Sequence, residues 1–185
     1  MRKVIAAEFV SLDGVMESPE KWHFPYWSDE MGEAIGAAMA QADALLLGRV
    51  TYEEWAAFWP DQDPDENPVA ARMNGVRKYV DSTTLQEPLE WQNSTLIEGD
   101  EFAEGISRLK QQPGKDISIS GSGALVRSLL ANDLLDELRL MVHPIVVGEG
   151  KRLFEDGGDR KPLELVDSQT FGTGVLYLTY RPAGY

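Results

Sequence analysis

Residues 116–130 read DISISGSGALVRSLL: a short strand-type alternation, a Gly-Ser-Gly turn, then an apolar helical pattern. A strand that turns at glycine into a helix start gathers unpaired backbone N–H groups and the positive end of the helix dipole, which suits a phosphate. The same residues also make a plain tight turn, and both readings stand until the rest of the chain is read. The dinucleotide pattern G-x-G-x-x-G is not completed, because Gly121 and Gly123 are followed by Val126. Asp136 and Glu137 precede the next strand rather than close it, so a conventional Rossmann unit is not indicated.

Working outward, residues 4–10 form a near-continuous apolar run of the kind buried on both faces of a sheet. Ser11, Leu12, Asp13 and Gly14 make a turn cluster, followed by an aromatic loop with Trp22, His23, Phe24, Tyr26 and Trp27. These rings either pad the core or wall a pocket for a flat ligand. Ser28 is a helix N-cap, with Asp29 and Glu30 in the first turn and Met31, Ile35, Ala38, Met39 and Ala42 on one face.

A second strand, residues 44–47, ends at Gly48-Arg49-Val50-Thr51. Thr51 and Glu54 have capping-box spacing, which starts a helix there, turns Tyr52, Trp55 and Phe58 inward and ends it at Pro60. Arg49 beside that helix start suits a phosphate, or pairs with Glu53 on the surface. The acidic stretch 61–68 reads as an exposed loop, and Arg72, Arg77 and Lys78 as solvated surface. A strand over 76–80 closes on Asp81-Ser82-Thr83-Thr84, hydroxyls that serve a ribose or phosphate as readily as a turn.

A strand over 95–98, a helix over 102–111, the opening strand and helix, and strands over 137–142, 163–168 and 175–181 complete the pattern. Strands alternate with helices and then follow one another. That order predicts one α/β domain over residues 1–185, with a mostly parallel central sheet flanked by helices and antiparallel C-terminal strands.

Composition narrows the chemistry. With 17 basic against 31 acidic residues, net charge −14 disfavours nucleic acid and anionic membranes. The absence of cysteine excludes a thiolate nucleophile, and G-x-S-x-G is missing. His23 and His143 stand far apart without ligand-spaced partners, so no metal site is expected. No apolar stretch is long enough to span a membrane, and a cytoplasmic protein is the expectation. What remains is a set of strand ends at Gly48, Asp81 and Gly121, and ligands of open α/β sheets bind outside such ends.

SLDGVME, LLLGRVTYEEW, YVDSTTL, SISGSGALVRSLL and DELRLMVHPIVVGEGKRLFED, in that order, resemble the dihydrofolate-reductase-like superfamily. The likeness is nearest to the C-terminal reductase domain of bacterial riboflavin-biosynthesis deaminase-reductase proteins. It implies NADPH laid across the sheet and a pterin-like or ribosylaminopyrimidine-like heterocyclic substrate. By motif, Gly48, Arg49, Val50 and Thr51 would meet the cofactor phosphates, Ser82, Thr83 and Thr84 the adenosine ribose, and Gly121, Ser122, Gly123, Ala124 and Leu125 the pyrophosphate. Relatives commonly carry Arg where this chain has Thr83, which removes one partner that would favour NADPH over NADH. On the substrate side the resemblance points to Asp13, and the first helix offers Asp29 as a second carboxylate. The segment LRLMVHPIVVGEG resembles the family's dimer-forming region, so a homodimer is expected. A non-catalytic nucleotide- or ligand-binding protein on the same fold is the competing expectation.

Overall fold

The computed structural model describes residues 1–98 and 101–184. In chain order the elements are β1 (Val4–Ser11), α1 (Asp29–Gln41), β2 (Ala42–Gly48), α2 (Arg49–Ala56), α3 (Pro68–Gly75), β3 (Arg77–Ser82) and β4 (Ser94–Glu98). They continue with α4 (Phe102–Gln111), β5 (Asp116–Ile119), α5 (Gly123–Ala131), β6 (Glu137–His143), β7 (Leu163–Thr170) and β8 (Leu176–Pro182). The strands form one sheet in the order β4-β3-β2-β5-β1-β6-β8-β7. β1 to β6 run parallel, whereas β8 is antiparallel to both β6 and β7. This is the mostly parallel sheet with antiparallel C-terminal strands that the order of elements predicted, and the mixed sheet that the resemblance implied.

β1 sits between β5 and β6 with both edges paired, and its near-continuous apolar run packs on both faces of the sheet. Val4, Ala6 and Val10 face a core shared with Ile106 and Leu109 of α4 and Leu125, Val126 and Leu129 of α5. On the other face Leu45, Leu47 and Val80 pack with Tyr52, Met73 and Trp91, while Met31 of α1 meets Met141, Phe171 and Val175. Each fully buried Leu, Ile or Val here contributes about 1.5–3 kcal/mol.

Several expectations need correction. α2 begins at Arg49, two residues before the expected start, and no capping box forms; Thr51 is buried and its hydroxyl points across to Gly121. Tyr52 is buried as expected, but Phe58 lies past the end of α2 and is exposed. The acidic loop is followed by a helix the sequence reading missed, α3, capped by the Asn67 side chain on Val69 and Ala70 with Pro68 in its first turn.

Lys78 is not solvated surface. It is completely buried, with its ammonium donating to the carbonyls of Asn74, Val76 and Gln92 and lying 4.2 Å from the Trp91 ring centroid. Arg72 likewise turns inward to the carbonyls of Met39 and Ala42. Neither could be separated from surface cations by composition: the Arg72 acceptors lie some 30 residues back in the chain, and Lys78 adds to two nearby carbonyls that of Gln92, which only the fold brings over it.

Candidate functional site

The carboxyl ends of β2, β3 and β5 lie side by side. Gly48 at the end of β2 pairs in register with Asp81 of β3, and β2 also pairs with β5, which runs into the glycine turn. The two strand-to-helix junctions touch: a Cβ on Gly48 would lie 2.5 Å from Ser122 Oγ. Thr51 Oγ donates to the Gly121 carbonyl at 3.3 Å, and Gly121 takes a left-handed backbone with φ +79°. Gly123 is equally hemmed in, since a Cβ there would meet Met16 Sδ at 2.6 Å. Gly48, Thr51, Gly121, Ser122 and Gly123, drawn from separate motifs, therefore share one site.

Both helices that start here lack a side-chain cap among the described residues. Of the helices that start elsewhere, α1 and α3 are capped by Ser28 and Asn67, and α4 has no side-chain cap among the described residues. Val126 is the first α5 residue whose N–H bonds back to the Ser122 carbonyl, which leaves the amides of Gly123, Ala124 and Leu125 as the orphan donors of the first turn. The Leu125 side chain is buried in the core, while Gly121 and Ala124 are exposed. Such a start can accept an anion.

The remaining sequence-chosen residues have distinct settings. Arg49 is ion-paired with Glu53 at 2.7 Å, both half exposed, and Val50 is exposed. Ser82 is buried and accepts from the amides of Thr84 and Leu85, each at 3.1 Å, forming a closed hydroxyl turn with Thr83 and Thr84 on its surface. Asp13 holds the loop that follows β6. Its carboxylate accepts from Ser11 Oγ at 2.6 Å, from Val147 N–H at 3.1 Å and from Gly148 N–H at 2.9 Å. The Ser11 hydroxyl and those two amides hold its carboxyl down at about 2. Asp29 is exposed in the first turn of α1.

Two buried groups, Glu8 and His143, were not chosen as site residues from sequence. Glu8, on the central strand, directs Oε2 to Gly121 N–H at 2.8 Å, while its Oε1 is buried without a partner among the described residues. Burial pushes its carboxyl up to about 8, against the smaller opposing effect of the Gly121 hydrogen bond. The one available signal was an acidic residue interrupting an apolar strand.

The second is His143, fully buried at the end of β6, where the rings of the aromatic loop pad it. His143 Nδ1 faces the Met141 carbonyl at 2.9 Å and that of Val10 at 3.3 Å, so it carries the proton and leaves Nε2 as a free lone pair. His23 stacks between Phe9 and Phe24 with centroids at 4.9 and 4.3 Å, and Trp22 meets His143 edge-on. Burial lowers both imidazoles, keeping them neutral.

A groove of about 870 Å³ lies away from the glycine turns, between α1 and β7–β8. At its floor burial raises Glu137, yet hydrogen bonds from Arg139, Arg181 and Lys3 win and hold its carboxyl below the ordinary range.

Among the described residues no cluster of three metal-ligating side chains occurs, and no helix is long and apolar enough to cross a membrane.

Comparison with known proteins places this geometry. The chain is 34% identical over 182 residues to YyaP of Bacillus subtilis (strain 168), an uncharacterized protein, covering 97% of this chain and 94% of that one. A structure from Shewanella sp. PV-4, provisionally assigned to riboflavin biosynthesis, superposes with TM-score 0.75 at 20% identity, covering 98% and 99% of the two chains. Dihydrofolate reductase from Enterococcus faecalis, solved with NADP(H), gives TM-score 0.65 at 16% identity over 98% and 97%. The RibD C-terminal domain model matches residues 2–177, and the chain therefore belongs to that family, on a fold shared with dihydrofolate reductase.

Proposed function

We propose that the protein is an NADPH-dependent reductase that delivers hydride to a pterin-like or ribosylaminopyrimidine-like heterocycle. The observation that carries this reading is the contact between the two glycine junctions, Gly48 against Ser122, which sets two uncapped helix starts side by side. In this reading the amides at 123–125 hold the pyrophosphate and those at 49–51 a neighbouring phosphate, Arg49 exchanging Glu53 for that phosphate. Ser82, Thr83 and Thr84 flank the ribose. When bound, the nicotinamide supplies the hydride. The chain supplies placement: Asp13 fixes the loop wall on the substrate side, and Asp29 at the α1 start is the second carboxylate.

The test is thermal stabilisation by NADPH and by NADH, followed by NADPH oxidation with dihydrofolate or a ribosylaminopyrimidine. No stabilisation by either cofactor at millimolar concentration overturns the cofactor reading. Stabilisation without turnover favours the non-catalytic binding reading, which the commitment of Asp13 to Ser11, Val147 and Gly148 specifically supports.

The protein is further read as a cytoplasmic homodimer. β6 is paired on both edges, so strand-edge association would fall to the outer strands β4 and β7, and on β7 Leu165 and Val166 are exposed. Light scattering that returns a monomer of 20.6 kDa overturns this.

A further inference from the structure

Glu8 is a strange residue for its place. It sits on the central strand between Ala6 and Val10, on the face packed by α4 and α5, and its side chain is removed from water. One oxygen grips the N–H of Gly121, the left-handed residue that turns β5 toward α5. Thr51 grips the carbonyl of the same residue, so Gly121 is held from both ends. The amides next along the chain, at 123–125, are the free donors of the helix start. A carboxylate directly behind an anion-binding turn would repel the anion through an apolar, weakly screening core.

We propose that Glu8 is the positioning residue of this turn and that binding of a dinucleotide there draws a proton onto its carboxyl. The proposal rests on the dinucleotide reading above. The neutral acid still accepts from Gly121 N–H and so keeps the turn in shape, without setting a negative charge beneath the phosphates. The buried core on this side of the sheet is apolar, with Ala6 and Val10 of β1, Ile119 of β5, and Leu125 and Val126 of α5. The charged groups at this end of the molecule are otherwise engaged or distant. Arg127 of α5 donates to the Leu153 carbonyl and pairs with Glu155, and Arg49 of α2 pairs with Glu53. Asp13 is held by the loop after β6, and Asp81 lies three strands from β1, about 14 Å at about 4.8 Å per strand. None of these contributes to the rise in Glu8, which comes from burial.

Linkage makes the proposal measurable, because a bound anion raises the affinity of Glu8 for its proton by the same factor that the proton raises affinity for the anion. NADPH affinity, measured by calorimetry from pH 6.5 to 9.5, should be level at the acid end. Above pH 8 it should weaken, becoming about tenfold poorer or more at the alkaline end, because a fully linked proton gives a tenfold change per pH unit. Titrations of the unaltered protein at pH 8 in buffers of different ionisation enthalpy should register proton uptake. Glu8→Gln keeps an acceptor for Gly121 but cannot titrate, so its affinity should match the acid-end value at every pH. Glu8→Leu loses the acceptor and should bind more weakly throughout, also without slope. A level profile with no proton uptake in the unaltered protein overturns the proposal, as does a slope retained in Glu8→Gln. Failure of NADPH to bind either protein even at pH 6.5 is a different result, which overturns the dinucleotide reading itself and this proposal with it.

Discussion

Replacing Glu8 with glutamine should also change how the free protein's stability depends on pH. The carboxyl sits at 4.5 in the unfolded chain and at about 8 in the fold. Between those values the unfolded chain has released a proton that the folded protein retains, so the protonated form is the one the fold favours. Stability therefore falls as pH rises through that window, and is level above it as far as this residue is concerned. At about 1.36 kcal/mol per pH unit, the rise from 4.5 to about 8 sets a ceiling of about 5 kcal/mol. Local relaxation and water entry reduce this to about 2–3 kcal/mol. The assay is urea denaturation of both proteins at half-unit steps from pH 4.5 to 9. The two curves should meet near pH 4.5 and separate progressively, with Glu8→Gln the more stable above pH 8. Other titrating groups are common to both proteins, so the difference isolates Glu8. Parallel curves across the range would show that Glu8 ionises normally and would refute the reasoning.

Three further outcomes follow from the same contacts. Lys78→Met leaves the Val76 and Gln92 carbonyls without the ammonium, whereas that of Asn74 keeps donors from Gln92 and Asn93, so about 2 kcal/mol should be lost in urea denaturation at pH 7. Burial lowers that lysine to about 8, favouring its neutral form, so the unaltered protein should gain stability as pH rises from about 8 toward 10.5 and the methionine variant should not. Gly123→Ala sets a methyl against Met16 Sδ, and the resulting loss of NADPH affinity should be largely restored by adding Met16→Ala, checked by calorimetry; no rescue would place the obstruction elsewhere. Asp13→Asn removes a carboxylate whose stabilising effect is present above pH 3.8 and lost as pH falls through about 2, and at pH 7 it should speed hydrogen exchange at the Val147 and Gly148 amides.

The order of elements was legible because each carries a local signal. β1 is an apolar run broken only by Glu8, α1 starts at Asp29 directly after its cap Ser28, and residues 102–111 form a helix with the expected bounds. The glycine junctions were legible for a similar reason, since glycine at a strand end marks a backbone that must turn or be approached closely. α3 was missed because its start depends on Asn67 and Pro68 inside an acidic stretch that reads equally well as loop.

What the sequence by itself determined, then, is an α/β chain with glycine-marked strand ends and a family resemblance. Only the tertiary structure decided what those ends do to one another. Thr51 offers a helix cap by its spacing but spends its hydroxyl on Gly121, a residue brought near only because β2 and β5 are neighbours in the sheet. Lys78 looks like a solvated charge along the chain and Glu8 like a break in an apolar strand, and the backbone groups they engage at Gln92 and Gly121 are brought to them by the fold. Periodicity reports which face a side chain takes; the partner waiting on that face is set by strand order, which no local pattern encodes.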